Sequence, residues 1–356
     1  MAAAAPEAET SLFATTLVLT IIGMSLIVWV AIVTRLVRRE PLMPLWPRRA
    51  VPWSWLFTLA AFLLYIAVSV AVLMLARFLS GGGLLVAEPQ TTEELTPLLA
   101  STAVAGAIST VLTLLALMMA AGASKIDLGF DTRWLKQDLL YGLAGFVTVV
   151  PVVFFIKWIL LPFSQENHPL ERMVREHPTP SLLFWTVVVA VVAAPWVEEF
   201  LLRVVFQGWL ERCFFFRQAP QQSEALDVVD AVLVSSQPSE SPFSDSRDSP
   251  NPYATPLTDF GTAQYPPSAF QATGEPEPAE LHEQIVPLGW RAAAPILISS
   301  IVFAGMHVGH GIDPIPLFFL ALVLGWLYQR THRLWPCVVL HTALNATSVA
   351  LLFSML

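Results

Sequence analysis

Three ionisable side chains lie within six residues of an otherwise apolar stretch: Glu198, Glu199 and Arg203. The preceding segment 181–197 carries no charged residue, so the whole stretch is apolar enough to enter a bilayer. A charged side chain near the bilayer centre costs about 2.5–3.5 kcal/mol on insertion scales. Three uncompensated charges would therefore cost on the order of 8–10 kcal/mol, and we expect an arrangement that offsets this cost.

The spacing of Glu199 and Arg203 suggests how two of the charges are offset. Residues four apart share one face of a helix, and the order with the acid first favours an ion pair. Glu198 lies about 100° around the helix from Glu199 and cannot share that pair easily. A carboxylate in an apolar site without its own cation suits a general base. We therefore predict that Glu198 is the general base.

Two further polar pairs lie in later apolar segments. His307 follows Phe303 by one helical turn, and Asn345 follows His341 by one turn, so each pair shares a helix face. Either pair alone would occur by chance. Three polar elements on three predicted spans, in a chain with few other intramembrane polar groups, indicate a functional site. His310 is predicted to be a residue at the membrane edge.

Together these side chains supply what hydrolysis of a peptide bond inside a membrane requires. We expect Glu198 and His307 to hold and deprotonate a water molecule. We expect His341 and Asn345 to stabilise the tetrahedral oxyanion, for which loss of one donor typically costs about 3 kcal/mol. The alternative is a structural polar cluster that fixes how the helices pack.

A metal site is the competing chemical interpretation. Glu198, His307 and His341 carry oxygen and nitrogen atoms that zinc accepts as ligands, but the HExxH spacing is absent. A divalent metal such as zinc is therefore possible and not required. The two cysteines, Cys213 and Cys337, lie in or beside apolar runs and provide neither a disulfide framework nor a cysteine-based zinc site.

The composition indicates a polytopic membrane protein. Hydrophobic residues make up 55% of the 356 residues, charged residues only 13%, and the mean hydropathy is +0.64. The net charge of −8 is concentrated in residues 217–288, which hold eleven acidic and two basic residues. No basic patch with interleaved aromatic residues appears, which argues against a nucleic-acid partner.

The apolar runs predict an all-α bundle of about eight transmembrane helices. The predicted spans are at about 12–34, 53–75, 98–121, 139–161, 181–216, 289–309, 314–330 and 334–354. We divide the chain into an N-terminal membrane region, the first part of a catalytic core, an acidic insert rich in serine and proline, and the second part of the core. These regions are 1–122, 123–216, 217–288 and 289–356.

Basic residues follow the first span and the seventh, including Arg35, Arg38, Arg330 and Arg333. The positive-inside rule therefore predicts both termini on the outer side, and we expect an inner (cell) membrane protein. The insert 217–288 cannot bury enough apolar surface to repay the cost of ordering, so it is predicted to be disordered. Its composition does not identify a partner.

The three polar elements resemble the signature motifs of a known family. In the order Glu198-Glu199-x-x-x-Arg203, Phe303-x-x-x-His307 and His341-x-x-x-Asn345, they are similar to those of the CAAX prenyl endopeptidase and bacteriocin-processing (Abi) intramembrane proteases. The resemblance covers about residues 125–354 without the insert. It implies an eight-helix fold with a conical cavity open to the cytoplasmic side. It also implies the following roles: Glu198 and His307 activate water, His341 and Asn345 bind the oxyanion, and Glu199 and Arg203 support them.

The resemblance also implies a peptide or protein substrate in contact with membrane lipid, prenylated in the CAAX members. The long insert is not part of the family's core, and the first three spans fit an added N-terminal element of open role. Two other function classes remain. One is a non-catalytic membrane scaffold or immunity-type protein that keeps the polar cluster for packing. The other is a transporter, which the lack of an internal repeat disfavours.

Overall fold

The computed structural model describes residues 5–46, 50–79, 92–163, 174–176, 178–215, 289–309, 311–354 and 356. Within these residues the chain is helical and contains no strand. The described residues all belong to one compact unit, which combines Met1–Arg217 with Ile285–Leu356. The insert 217–288, predicted to be disordered, and His310, predicted at the membrane edge, lie outside the described residues.

Eight long helices in the described part of the chain follow the predicted spans. They are α1 (Ala5–Val37), α2 (Trp55–Leu79), α3 (Thr92–Ala120), α4 (Leu135–Leu160), α5 (Pro180–Phe215), α6 (Trp290–Gly305), α7 (Pro314–Thr331) and α8 (Trp335–Phe353). A short 3₁₀ turn, Leu161–Phe163, extends α4. The prediction of an all-α membrane bundle with about eight helices is confirmed.

The length and composition of these helices fit a lipid environment. Six of the described helices are long and apolar enough to cross a membrane, and α6, with 16 residues, is a shorter apolar helix. Large apolar side chains are exposed along much of α1 and α2, where lipid tails rather than water can cover them. The protein is therefore a multi-pass integral membrane protein.

Two glycines allow helices to pack closely in this bundle. A Cβ atom on Gly142 of α4 would lie 2.6 Å from Cβ of Val339 and 2.8 Å from the carbonyl oxygen of Pro336, both on α8. A Cβ atom on Gly106 of α3 would lie 2.9 Å from Cγ2 of Val197 on α5. Small residues permit such approach where lipid offers no hydrophobic driving force. As a result, α3 lies directly against the segment that precedes Glu198.

Three loops meet at one end of the bundle. The backbone N–H of Trp46 donates to the carbonyl oxygen of Arg330 at 3.1 Å, and that of Leu334 donates to the carbonyl oxygen of Gly129 at 3.0 Å. The guanidinium group of Arg333 lies 4.4 Å from the ring centroid of Trp46. The loops that follow α1, α3 and α7 are therefore at the same end, as alternating spans require.

Helix α5 departs from regular α-helical geometry at two places. Two π-helical turns, Val188–Ala193 and Phe200–Gln207, flank the α-helical segment Ala194–Glu199. Such turns are rare and frequently occur at functional sites. The segment between them carries both glutamates of the first motif.

Candidate active site

Glu199 and Arg203 form an ion pair that is closed to solvent. Nε of Arg203 donates to Oε2 of Glu199 at 3.1 Å, and both side chains are 0% exposed. The guanidinium carbon of Arg203 also lies 5.5 Å from the centroid of the Phe303 ring. The pair expected from the spacing of four residues is present, so two of the three charges of α5 offset each other.

His341 joins the third motif to the first. Its Nδ1 lies 2.9 Å from Oε1 of Glu199, a residue 142 positions earlier in the chain. Because an ionised carboxylate can only accept, Nδ1 of His341 is the donor. The bond of one ring nitrogen fixes the role of the other, and Nε2 of His341 lies 3.9 Å from Oε2 of Glu198. The histidine is therefore held between the two glutamates.

Glu198 is the less neutralised of the two carboxylates, as the spacing predicts. Its side chain is 22% exposed, but its Oε2 atom is shielded from solvent and has no hydrogen-bond partner among the described residues. The separation of 3.9 Å from Nε2 of His341 is longer than a hydrogen bond. Oε2 of Glu198 is therefore a buried carboxylate oxygen that faces Nε2 of His341 without a direct hydrogen bond.

The second motif reaches the site through an aromatic ring. Phe303 is fully buried, and its ring stacks on His307 with centroids 5.1 Å apart. The same ring lies 5.7 Å from that of His341. Nδ1 of His307 lies 2.9 Å from the carbonyl oxygen of Phe303, and His307 is within electrostatic range of Glu198. The Phe303 ring therefore contacts both histidines of the site.

Asn345 lies one turn beyond His341 on α8. Its Nδ2 donates to the carbonyl oxygen of Ala190 at 2.7 Å, and Ala190 belongs to the first π-helical turn of α5. Since the amide group has two N–H donors, this bond uses one of them. The other can serve a ligand. All six residues expected at the site are thus described: His341 and Asn345 lie on α8, the first motif lies on α5, and His307 lies in the turn after α6 rather than on the helix expected from its spacing to Phe303.

The polar face of α5 continues beyond Arg203, a feature that the sequence analysis missed. Nη1 of Arg203 donates to Oγ of Ser299 at 3.0 Å, and that hydroxyl donates to Oε1 of Gln207 at 3.0 Å. Nε2 of Gln207 donates to Oε1 of Glu211 at 3.0 Å and to the carbonyl oxygen of Gly325 at 2.8 Å. The signal was the repeat of the four-residue spacing. We call the following residues the polar ladder: Glu199, Arg203, Gln207, Glu211 and Ser299.

Helices α2 and α3 contribute hydroxyl groups near the site, and these were also missed. The Tyr65 hydroxyl forms a hydrogen bond with Ser69 and interacts electrostatically with the carboxylate of Glu198. Both residues line a cavity of about 300 Å³ between α2 and α3, together with Ser101 and Thr102. The N-terminal helices, whose role the sequence left open, therefore adjoin the candidate active site.

The three candidate metal ligands are not gathered around one point in the described part of the chain. Among the described residues, no group of three His, Cys, Asp or Glu side chains is placed to hold a metal ion. Nδ1 of His341 is bonded to Glu199, and Nδ1 of His307 faces a backbone carbonyl; metal-ligating histidines usually make such bonds with their second ring nitrogen, so these two bonds do not argue against a metal. A zinc ion would need Glu198 and both histidines to converge at about 2.0–2.2 Å from one point.

Comparison with known proteins adds one family match. The family described as Type II CAAX prenyl endopeptidase Rce1-like matches residues 280–347. No curated protein and no solved structure matches the chain. The matched segment contains His307, His341 and Asn345, and Glu198 lies outside it. Residues 280–347, which hold the second and third motifs, are therefore similar to the Rce1-like type II CAAX prenyl endopeptidases, and this match agrees with the family resemblance predicted from the sequence.

Proposed function

We propose that this protein is an intramembrane endopeptidase in which Glu198 deprotonates the water that attacks a peptide carbonyl. The observation that carries this proposal is the separation of 3.9 Å between Oε2 of Glu198 and Nε2 of His341. These atoms come from two motifs on different helices, and Glu199 holds the other ring nitrogen of His341. The family match over residues 280–347 supports a CAAX protease-like peptidase.

The proposed reaction begins with the water molecule between Glu198 and the substrate. Glu198 accepts a proton from the water as the water oxygen bonds to the carbonyl carbon, and His307 helps to hold the water. As an imidazolium, His341 donates from Nε2 to the oxyanion, and Asn345 donates from its second N–H. Glu198 then passes its proton to the amide nitrogen as the C–N bond breaks. The products are a carboxylic acid and an amine, and the acid then loses its proton to water.

Glu199 and Arg203 have supporting roles in this proposal. Glu199 orients His341 through Nδ1, and Arg203 offsets the charge of Glu199 in a place that solvent does not reach. A ligand or catalytic imidazole is commonly oriented in this way by a carboxylate on its other nitrogen. Neither residue needs to touch the substrate.

For the substrate, we propose a peptide segment that reaches the site from the membrane. The name of the matched family makes a prenylated C-terminal CAAX sequence the first candidate. The site lies among helices whose outer faces expose large apolar side chains, so a lipid-anchored peptide could approach without crossing water. Membrane lipid is then the environment of both enzyme and substrate.

The proposed function is tested by comparing wild-type protein with a Glu198→Gln variant in membranes. Two readouts run in parallel: cleavage of an internally quenched peptide that ends in a farnesylated Cys-a-a-X sequence, and mass spectrometry of peptides released from the membrane proteins. Loss of a general base typically lowers the rate by about 10²–10⁴-fold. The matched control is Glu40→Gln, because the Glu40 side chain is half-exposed and far in sequence from the motifs.

Unchanged turnover in Glu198→Gln would contradict the role of this residue as the base. The scaffold function is the second candidate, and the polar ladder favours it because its hydrogen bonds join α5 to α6 and α7. If neither readout yields a Glu198-dependent product, and Glu198→Gln and His341→Ala change only the melting temperature, the peptidase proposal is wrong and the scaffold is supported.

We also propose that the joined loops at one end of the bundle face the cytoplasm, with both termini on the outer side of an inner (cell) membrane. The support is that Arg330 and Arg333 contact the segment that follows Arg35 and Arg38, which concentrates positive charge at one end. In intact cells, a membrane-impermeant maleimide should not label a cysteine introduced at Glu40. Labelling from outside would reverse the orientation.

A further inference from the structure

The orientation of His341 depends on a chain of buried hydrogen bonds. Its Nδ1 is bonded to Glu199 at 2.9 Å, and Glu199 is bonded to Nε of Arg203 at 3.1 Å. The far side of the Arg203 guanidinium is then bonded to Ser299 at 3.0 Å and to Gln207 at 3.4 Å. The planar guanidinium is therefore fixed on one side by Glu199 and on the other by the bonds of its Nη1 atom.

Gln207 is the junction of this network. Its Oε1 accepts from Ser299 and Arg203, while its Nε2 donates to Glu211 and to the carbonyl oxygen of Gly325. The side chain is 0% exposed. A flip of the amide would place a donor against the guanidinium and an acceptor against a carbonyl, so only one orientation is satisfied. Gly325 leaves room for it, because a Cβ there would lie 3.0 Å from Oε1.

We propose that Gln207 is a positioning residue of the peptidase. It holds Arg203 in the orientation that pairs with Glu199. Glu199 in turn occupies Nδ1 of His341, so that Nε2 faces Glu198. Gln207 touches neither the water nor the peptide, and its effect passes through two intervening side chains. This inference rests on the proposed function of the site.

The size of the effect follows from how strictly a catalytic group must be placed. A displacement of about 1 Å at a reacting group can cost about 10²-fold in rate. In Gln207→Leu, Arg203 and Ser299 both lose Oε1 of Gln207 as an acceptor, so Nη1 of Arg203 is held by Ser299 alone and the guanidinium can shift. We expect kcat to fall by about 10- to 100-fold while KM stays nearly unchanged, because substrate binding groups are left in place.

The chain offers a matched control for the loss of a buried glutamine. Nε2 of Gln329 on α7 donates to the carbonyl oxygen of Ala292 on α6 at 2.7 Å, and the residue is 6% exposed. Gln329→Leu therefore removes a bond of the same kind between two helices of the same bundle, without altering the polar ladder. If Gln207 only supported packing, Gln207→Leu would lower the melting temperature but, like Gln329→Leu, would leave the His341 signals unchanged.

Two readouts separate positioning from packing. The first is the pH dependence of the rate at which the Glu198-dependent product forms, which should change in Gln207→Leu and not in Gln329→Leu. The second needs no turnover: ¹⁵N spectra of histidine-labelled protein in detergent, with the His341 signals assigned by a His341→Gln variant. We expect the Nδ1 signal of His341 to move in Gln207→Leu and to keep its wild-type position in Gln329→Leu.

The inference is overturned if folded Gln207→Leu keeps both the wild-type kcat and the wild-type His341 signals, or if Gln329→Leu changes them equally. Should Gln207→Leu not fold, Ser299→Ala takes its place, since it removes the hydroxyl that bridges Arg203 and Gln207. In Ser299→Ala, the Nδ1 signal of His341 must then move away from its wild-type position. If the Glu198→Gln variant retains activity, the peptidase proposal fails by itself, and the ¹⁵N spectra still decide whether Gln207 orients His341.

Discussion

Replacing Arg203 by methionine tests how completely its ion pair with Glu199 is enclosed. Methionine keeps most of the side-chain length and removes the charge together with the bonds to Glu199, Ser299 and Gln207. Both members of the pair are 0% exposed, so the carboxylate would stay buried without its cation. Breaking such a pair costs about 3–5 kcal/mol. At about 2–4 °C per kcal/mol, the melting temperature should fall by roughly 6–20 °C.

The variant in which both charges are removed separates the ion pair from simple packing. Replacing a buried pair by uncharged groups is often neutral or even stabilising, so Glu199→Gln combined with Arg203→Met should recover much of the lost stability. The assay is thermal unfolding in one detergent, with Arg38→Met as control because the Arg38 side chain is 67% exposed. An unchanged melting temperature in Arg203→Met, or equal losses in the single and double variants, would refute the reasoning.

Three further outcomes are expected. Asn345→Ala should lower kcat by about 10²–10³-fold with little change in KM, as loss of an oxyanion donor does. In peptide assays, a rise in KM as large as the fall in kcat would contradict that role. Gly142→Ala should lower the melting temperature because its Cβ would lie 2.6 Å from that of Val339, whereas Gly23→Ala, with nothing within 4 Å, should raise it; the reverse order would show that α4 does not pack against α8 this closely. Treatment with a chelator should leave peptidase activity unchanged, since the described donors do not converge on one point; a loss that zinc restores would overturn this.

The spans and the first ion pair could be predicted because local rules determine them. In lipid every backbone group must be satisfied within the segment, so apolar runs become helices. The spacing of Glu199 and Arg203 then places them on one face. No local rule brings His341 to Glu199 across 142 positions. For that contact the sequence offered only the family resemblance.

The residues that were missed depend on tertiary packing. Gln207 follows Arg203 at the same four-residue spacing as the first pair, but its role depends on its hydrogen bonds to Ser299 on α6 and to the carbonyl oxygen of Gly325 on α7. Those partners are known only once α5, α6 and α7 are assembled. Tyr65 was harder still to predict, because no spacing in the sequence relates a tyrosine on α2 to Glu198 on α5. Hydropathy also gives no sign of the π-helical turns.

The first π-helical turn makes the site sensitive to the length of an unremarkable run of valine and alanine. Val188–Ala193 closes its backbone bonds over five residues instead of four, and the carbonyl oxygen of Ala190 there receives Asn345. Deleting one residue from this run would tighten the turn and rotate the upstream part of α5 by about 100° relative to Glu198. Charge and hydropathy would hardly change, yet the amide would lose its anchor. A one-residue deletion here would thus remove the Asn345 contact while leaving the residues of all three motifs unchanged.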